Sequence, residues 1–382
     1  MIQKVFSRIE ELKDEYIRFL LDITAIESPT SSKVGVDAVG AYVTERARAH
    51  GWQIKVHKER LAGDAVSITM NPGAEGAPVC LSAHMDTVHP LGSIREMPVY
   101  TDEEKIYGPG VYDCKGGIAS SFLAMAAMED CGFKARPIKL ILQSDEETGS
   151  RESEKRTIAF MCEEAKGAAA FLNCEPHKEG YATLSRKGIA TYSVSVSGKA
   201  IHASECYNGI SAIKEAAYKI IALEKKQDPE GVTVCCGLIS GGTAKNTVAE
   251  KCSFTIDIRY TTEKQLDEVR QFVNDITATS FVPGSASEAV LQNHRVPMEL
   301  TERNIQLLEK ANTAFKVYGI PPLARRHKFG GSDAAYVTAA GIPCLDSLGV
   351  TGGAGHTRDE FAMLASLPLS AKMLAVIALS LS

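Results

Sequence analysis

No apolar stretch of this 382-residue chain approaches the roughly 20 residues that a membrane-spanning helix requires, because glycines and charges interrupt every candidate. Long runs of one charge sign are also lacking. The net charge of −5 is spread along the sequence, so neither nucleic acid nor a membrane surface is an expected partner. Tryptophan occurs once, and the ten cysteines include no CxxC pair, only Cys235 and Cys236 being adjacent. They read as the structural thiols of a reducing cytosol rather than a disulfide framework. The N-terminal MIQKVFSRIEELKDEYIRFLLDITAI is an amphipathic charged helix, not a basic segment leading into an apolar one, so the expected location is cytoplasmic. Several catalytic signatures are missing as well. There is no GxSxG elbow, the one SxxK (Ser211 to Lys214) lies in an amphipathic helix without its companion motifs, and HExxH is absent. GPGVYD lacks the third glycine of GxGxxG and no clear strand opens it, so it makes a poor dinucleotide loop.

What is present is the composition of a globular protein, 45% hydrophobic and 23% charged, at a length that favours two domains. Helical patterns over 2–25, 35–49, 116–129 and 155–165 alternate with short β-rich runs at 52–57, 65–70, 79–83, 138–143 and 169–174. Such alternation predicts an α/β fold with a mixed, mostly parallel sheet flanked by helices. From Gly188 the order becomes strand 189–197, helix 208–226, strands 232–240 and 252–260, helix 263–278 and strand 287–293. That βαββαβ order predicts a ferredoxin-like domain over 188–299, inserted into a catalytic domain made of 1–187 and 300–382. A helix over 303–318, the turn FGGSDAA, a strand over 342–347 and a closing helix over 366–381 return to the α/β style.

The chemistry-bearing residues sit where these elements end. In VCLSAHMDTVHP, His84 and Asp86 are two apart and so share a strand face, a spacing that suits a metal ligand and its orienter; a surface His beside a turn Asp is the alternative. His89, in the following turn, is the weaker ligand candidate. IYGPGVYDCKGG delivers Asp113 just before an apolar helix, either as an N-cap or with one carboxylate oxygen for each of two metals about 3.5–4 Å apart, and Gly116 and Gly117 would let the backbone pass close to the ions. QSDEETGS puts Glu146 and Glu147 after a buried strand, where two adjacent carboxylates are costly without a cation. Either the loop is merely acidic, or Glu147 binds metal while Glu146 takes a proton from water and returns it to the leaving nitrogen. Asp145 is expected to face solvent. Glu175 ends another apolar strand in AAAFLNCEP, and His356 stands in the glycine loop GVTGGAGHTRDEF. Three carboxylates and two histidines make the mixed N/O set that zinc accepts.

SAHMDTV, GPGVYDCKGG, SDEETGS, NCEP, GKAIHAS, GGTAKNTV, DIRY, GGSDAAY and GAGHT occur here in one order. In that order they resemble the co-catalytic di-zinc peptidases and deacylases that include glutamate carboxypeptidase, acetylornithine deacetylase, succinyl-diaminopimelate desuccinylase and peptidase T. The likeness covers nearly the whole chain and is greatest to the glutamate carboxypeptidase branch. It implies two Zn2+ per subunit, with Co2+ or Mn2+ as substitutes, Asp113 bridging, His84 and Glu175 at one ion and Glu147 and His356 at the other. It further implies Asp86 as orienter, Glu146 as base, and a zinc-bridging water that attacks an amide bond beside a free carboxylate. Glu175, where aminopeptidase relatives tend to have Asp, leans the same way. The inserted domain is implied to be a lid that forms a homodimer, with His202 reaching the partner's site to stabilise the oxyanion, and Asn246, Arg259 and Gly331 holding the substrate carboxylate. The chain departs from relatives that cleave C-terminal glutamate at Val296, which stands before Pro297 where they carry a basic residue, with His294 and Arg295 just upstream; Arg186 and Lys187 are alternative positive groups. The expected substrate is a small peptide or an N-acyl amino acid, and an N-acyl amino acid deacylase and a non-catalytic binder remain as other readings.

Overall fold

The computed structural model describes residues 1–381, which fall into two compact units. The first comprises Met1–Leu184, Leu300–His327 and the chain from Ser332 onward. Its centre is a six-stranded sheet in the order Gln53–His57, Ala65–Met70, Ile138–Gln143, Val79–His84, Ala170–Asn173, Cys344–Leu345. The first two junctions are antiparallel and the remaining three parallel, so the sheet is mixed, as the alternating pattern predicts. Ala65–Met70 and Val79–His84 are buried at every position, which is why they read as continuous apolar runs and not as alternating ones.

Helix Gly116–Asp130 is buried on all sides as far as Met128, which accounts for its lack of a polar face. It packs against Ile2–Thr24 and Ser366–Ser380. Helix Ile2–Thr24 contributes Val5, Ile9, Tyr16, Phe19, Leu20 and Ile23 at helical spacing. Phe122 lies at the middle of this layer, its ring centroid 5.0 Å from Phe19 and 5.6 Å from Trp52 in tilted contacts.

A second, small sheet of the same unit runs Gly352–Gly353, Phe361–Met363, Lys105–Tyr107, Tyr100–Thr101, antiparallel throughout. The sequence does not announce it, because strands of two or three residues have no room for a periodic pattern. It fastens the glycine loop after Tyr107 to the hairpin that carries His356.

The second unit comprises Ser185–Glu299 and Lys328–Gly331. Its elements follow in the order strand, helix, strand, strand, helix, strand, and the antiparallel sheet runs Thr233–Gly241, Lys251–Tyr260, Gly188–Ser197, Ala286–Arg295. Strand Lys251–Tyr260 buries every second residue from Cys252 to Tyr260, the period-two pattern of a sheet covered on one face. Helix Ala212–Leu223 begins later than the periodicity predicts, since residues 203–208 form a separate tight turn and the Ser211 hydroxyl caps the Lys214 N–H. Helix Glu263–Ala278 opens with a capping box between Thr262 and Gln265. All ten cysteines are free thiols; Cys206 and Cys235 are exposed. Among the described residues no helix is long and apolar enough to cross a membrane.

Candidate metal centre

Three parallel strands of the first unit end at one edge of the sheet, and each delivers a ligand type there. His84 is the last residue of Val79–His84, Glu146 and Glu147 follow Ile138–Gln143 in a tight turn, and Glu175 follows Ala170–Asn173. Ligand groups gather at the carboxyl ends of such strands because the backbone there leaves the sheet and opens a crevice. Asp113 arrives from the glycine loop, whose Gly110 has φ 75°; a Cβ at Gly110 would stand 2.4 Å from Thr87 Cγ2, so this tight approach needs glycine. His356 occupies the left-handed region (φ 64°) in the hairpin between Gly352–Gly353 and Phe361–Met363.

The five side chains form two clusters that share Asp113. Its Oδ1 lies 3.0 Å from His84 Nε2, and its Oδ2 lies 3.3 Å from His356 Nε2. Glu175 Oε1 is 3.7 Å from the same His84 nitrogen, and Glu147 Oε2 is 3.4 Å from the His356 nitrogen. The ligand atoms within each cluster lie within 4.8 Å of one another, and Cys114, joined to Asp113 by a cis peptide, adds a buried thiol near the first. Oxygen and imidazole donors at these separations fit a divalent cation such as zinc in each cluster. Glu147 Oε1, buried and without a hydrogen-bond partner, is a further donor such an ion would satisfy.

The charges are consistent with that fit. Burial pushes the Glu147 carboxyl up to about 7 despite the pull of His356. Hydrogen bonds to Asp113 and Glu147 lift His356 to about 10 against its burial. Burial also works against the Asp113 anion, but His356 and His84 outweigh it and hold that carboxyl below the usual range. Carboxylates packed this closely draw protons onto their neighbours, which a cation replaces.

The side chains around the clusters are fixed by contacts of their own, and not all of them as the sequence suggests. The ring N–H at His84 Nδ1 donates to the main-chain carbonyl of Asp86 at 2.9 Å, with the Asp86 carboxylate 3.4 Å away. That carboxylate accepts the Thr30 hydroxyl at 2.7 Å and the backbone N–H groups of Glu146 and Glu147 at 3.2 and 3.1 Å, so it fixes the turn of the two glutamates. Asp145 does not face solvent. It is fully buried and accepts the Ser153 N–H at 2.9 Å and the Thr157 hydroxyl at 2.8 Å, tying the acidic turn to the helix that follows. Gly117 lets the helix start approach the chain below it rather than an ion, since a Cβ there would stand 2.2 Å from the Cys174 carbonyl oxygen. Glu146 is itself buried.

His202, Asn246, Arg259 and Gly331 belong to the second unit. His202 and Asn246 are neighbours: the Ala203 N–H donates to the Asn246 carbonyl at 2.9 Å, and the exposed His202 ring accepts the Ser204 N–H at Nδ1. Arg259 is already engaged with Asp257, Nε to Oδ1 at 2.6 Å and Nη2 to Oδ2 at 3.1 Å. The Gly331 carbonyl accepts Arg186 Nη1 at 3.0 Å. Lys187 is no surface charge; it is buried, with Nζ on the carbonyls of Pro229 and Gly231 at 2.7 and 2.9 Å.

Two residues near the centre carry no sequence signal of their own. One is Thr30, which meets Asp86. The other is Glu360, the partner of His89, whose Nε2 lies 2.7 Å from Glu360 Oε2 and so is not aimed at the ligands.

Residues 80–380 match the sequence model of peptidase family M20/M25/M40. The chain is 26% identical over 372 residues to carboxypeptidase G2 of Pseudomonas sp. (strain RS-16), covering 95% of this chain and 88% of that one. It is 26% identical over 277 residues to acetylornithine deacetylase of Myxococcus xanthus, covering 67% and 70%. A solved tripeptidase of Staphylococcus aureus superposes with a TM-score of 0.82 at 22% identity, covering 96% of this chain and 98% of the other.

Proposed function

Because this chain belongs to peptidase family M20/M25/M40, a metal-dependent family of hydrolases acting on peptide and amide bonds, we propose that it cleaves an amide bond next to a free carboxylate in a small peptide or N-acyl amino acid. The observation that carries this reading is the single carboxylate of Asp113, whose two oxygens address two different histidines, His84 at 3.0 Å and His356 at 3.3 Å. His84, Asp113 and Glu175 would hold one zinc and Asp113, Glu147 and His356 the other, with Co2+ or Mn2+ as substitutes. Such cations, when bound, polarise a scissile carbonyl and lower the pKa of water to about 7.

The chain's own residues then divide the work. Glu146 takes the proton of the attacking water and gives it to the leaving nitrogen, a role worth typically about 10²–10⁴-fold. Asp86 keeps Glu146 and Glu147 apart in function by pinning both backbone N–H groups. His202 of the partner subunit donates to the carbonyl oxygen as negative charge develops there. Asn246 and the Gly331 backbone bind the terminal carboxylate, and Arg259 does so while shared with Asp257. The homodimer this requires is supported by the edge strand Thr233–Gly241, on which Leu238 and Ile239 are exposed, and by Ile213, Tyr218 and Ile221 exposed on the neighbouring helix.

A hydrolysis screen of the zinc-loaded protein against C-terminal dipeptides and N-acyl amino acids tests the proposal. Turnover of the peptides is expected. Turnover confined to acyl amino acids makes it a deacylase of the acetylornithine deacetylase kind, and none on either set leaves it a binder.

A further inference from the structure

Glu360 is buried at 1% exposure, yet the chain surrounds it with donors. Its Oε1 accepts the backbone N–H groups of Tyr112 and Asp113, each at 3.0 Å, and its Oε2 accepts that of Gly110 at 3.2 Å and the His89 ring N–H at 2.7 Å. Successive N–H groups turned inward around a loop form a concavity that binds anions. Here the anion is the protein's own carboxylate, brought from 247 residues further along the chain than Asp113. The Gly108 N–H also donates to the Glu360 carbonyl, and Phe361 pairs with Tyr107 in the small sheet. Glu360 thus sits where the glycine loop bearing Asp113 and the hairpin bearing His356 meet.

We infer that Glu360, held by His89, is a positioning residue that sets the Asp113 loop and the His356 hairpin at the spacing needed for the second cation. The inference rests on the reading of the metal centre given above, and it concerns one ion more than the other. His84 and Glu175 are placed by strands in the middle of the six-stranded sheet, which do not depend on Glu360. Glu147 is placed by Asp86. His356 has no such support: its side chain is 53% exposed and its hairpin is closed by Glu360 and the strand after it. Removing the carboxylate therefore leaves His84 and Glu175 in place and disturbs the first cluster only through the shared Asp113, whereas the second is disturbed at both Asp113 and His356.

The test is Co2+ binding to the metal-stripped full chain, followed by its visible absorption and by chelator competition, for the unmodified protein and for Glu360→Gln, His89→Phe and Arg358→Ala. Glutamine keeps the shape but offers one acceptor oxygen where four donors converge. Expected in Glu360→Gln is a gap between the two Co2+ affinities about 10–100-fold wider than in the unmodified protein. His89→Phe, which keeps the carboxylate, widens it less, and Arg358→Ala, in the same hairpin but ion-paired with Glu96, leaves it unchanged. Two affinities identical to the unmodified protein's would overturn the inference, as would an equal weakening of both ions together with a lowered unfolding temperature, which would make Glu360 a prop of the fold alone. An unmodified protein that takes up no second Co2+ would instead overturn the reading of the centre, and this inference with it.

Discussion

The shorter link between His84 and Asp86 runs through the main chain: the imidazole donates to the Asp86 carbonyl at 2.9 Å, while the carboxylate, 3.4 Å from the ring, accepts the N–H groups of the next loop and the Thr30 hydroxyl. Asp86→Asn should therefore leave the His84 tautomer and the metal content intact while loosening the Glu146–Glu147 turn, since an amide offers one acceptor oxygen in place of two. We expect a fall of about 10–100-fold in kcat with metal stoichiometry retained. Loss of metal before loss of rate, measured by elemental analysis beside kinetics, would show that the carboxylate serves His84 after all.

Glu146→Gln separates catalysis from binding. The substitution removes the proposed proton transfer and leaves all five proposed ligands, so turnover should drop by about 10²–10⁴-fold while the protein binds the same number of ions. Activity within a fewfold of the unmodified enzyme would remove Glu146 from the mechanism.

Gly117→Ala tests the packing beneath the site. The added methyl group would stand 2.2 Å from the Cys174 carbonyl oxygen and 2.8 Å from its Cβ, against backbone that has nowhere to retreat, one residue ahead of Glu175. Overpacking of this kind costs about 1–3 kcal/mol. Thermal unfolding should show it, and the shift of the Glu175 strand end should weaken the cation site proposed at His84 and Glu175; an unchanged unfolding temperature would mean that the helix start can slide.

Acid should reach the second unit through Glu215. This buried carboxylate is opposed by its burial, but Lys219 at 2.9 Å and the backbone N–H groups of Val282 and Phe281 outweigh that cost and lower its pKa from 4.5. A group whose folded pKa is lowered contributes stability above its unfolded pKa and loses it as pH falls through the folded value. Glu215→Gln should thus destabilise this unit by about 3–5 kcal/mol near neutral pH, because Lys219 is left buried without its counter-charge. The difference should shrink below pH 4.5 and vanish in stronger acid; calorimetry at pH 7 and pH 3 showing an equal difference would exclude the titration.

Those members of the two clusters that end apolar strands were legible in the sequence, because a carboxylate or imidazole after a buried run stands out against it; His84, Glu147 and Glu175 are of this kind. The arrangement βαββαβ was legible for a related reason, since strand Lys251–Tyr260 alternates cleanly. Asp145 was not, because three adjacent acids carry no period to say which one turns inward, and its partners are ordinary residues, Ser153 of the following turn and Thr157 of the helix after it. Glu360 escaped notice because its partners are mainly backbone N–H groups about 250 residues away, and a main-chain donor leaves no trace in the amino-acid sequence. The pairing of Arg259 with Asp257 could have been seen: residues two apart on one strand share a face.

The two histidines of the centre differ in depth. His84 is 2% exposed at the root of the sheet, whereas His356 stands 53% exposed on its hairpin. The centre accordingly has a floor and a mouth: were both clusters to hold a cation as proposed, the ion at His356 would be the one nearer solvent and the first to exchange.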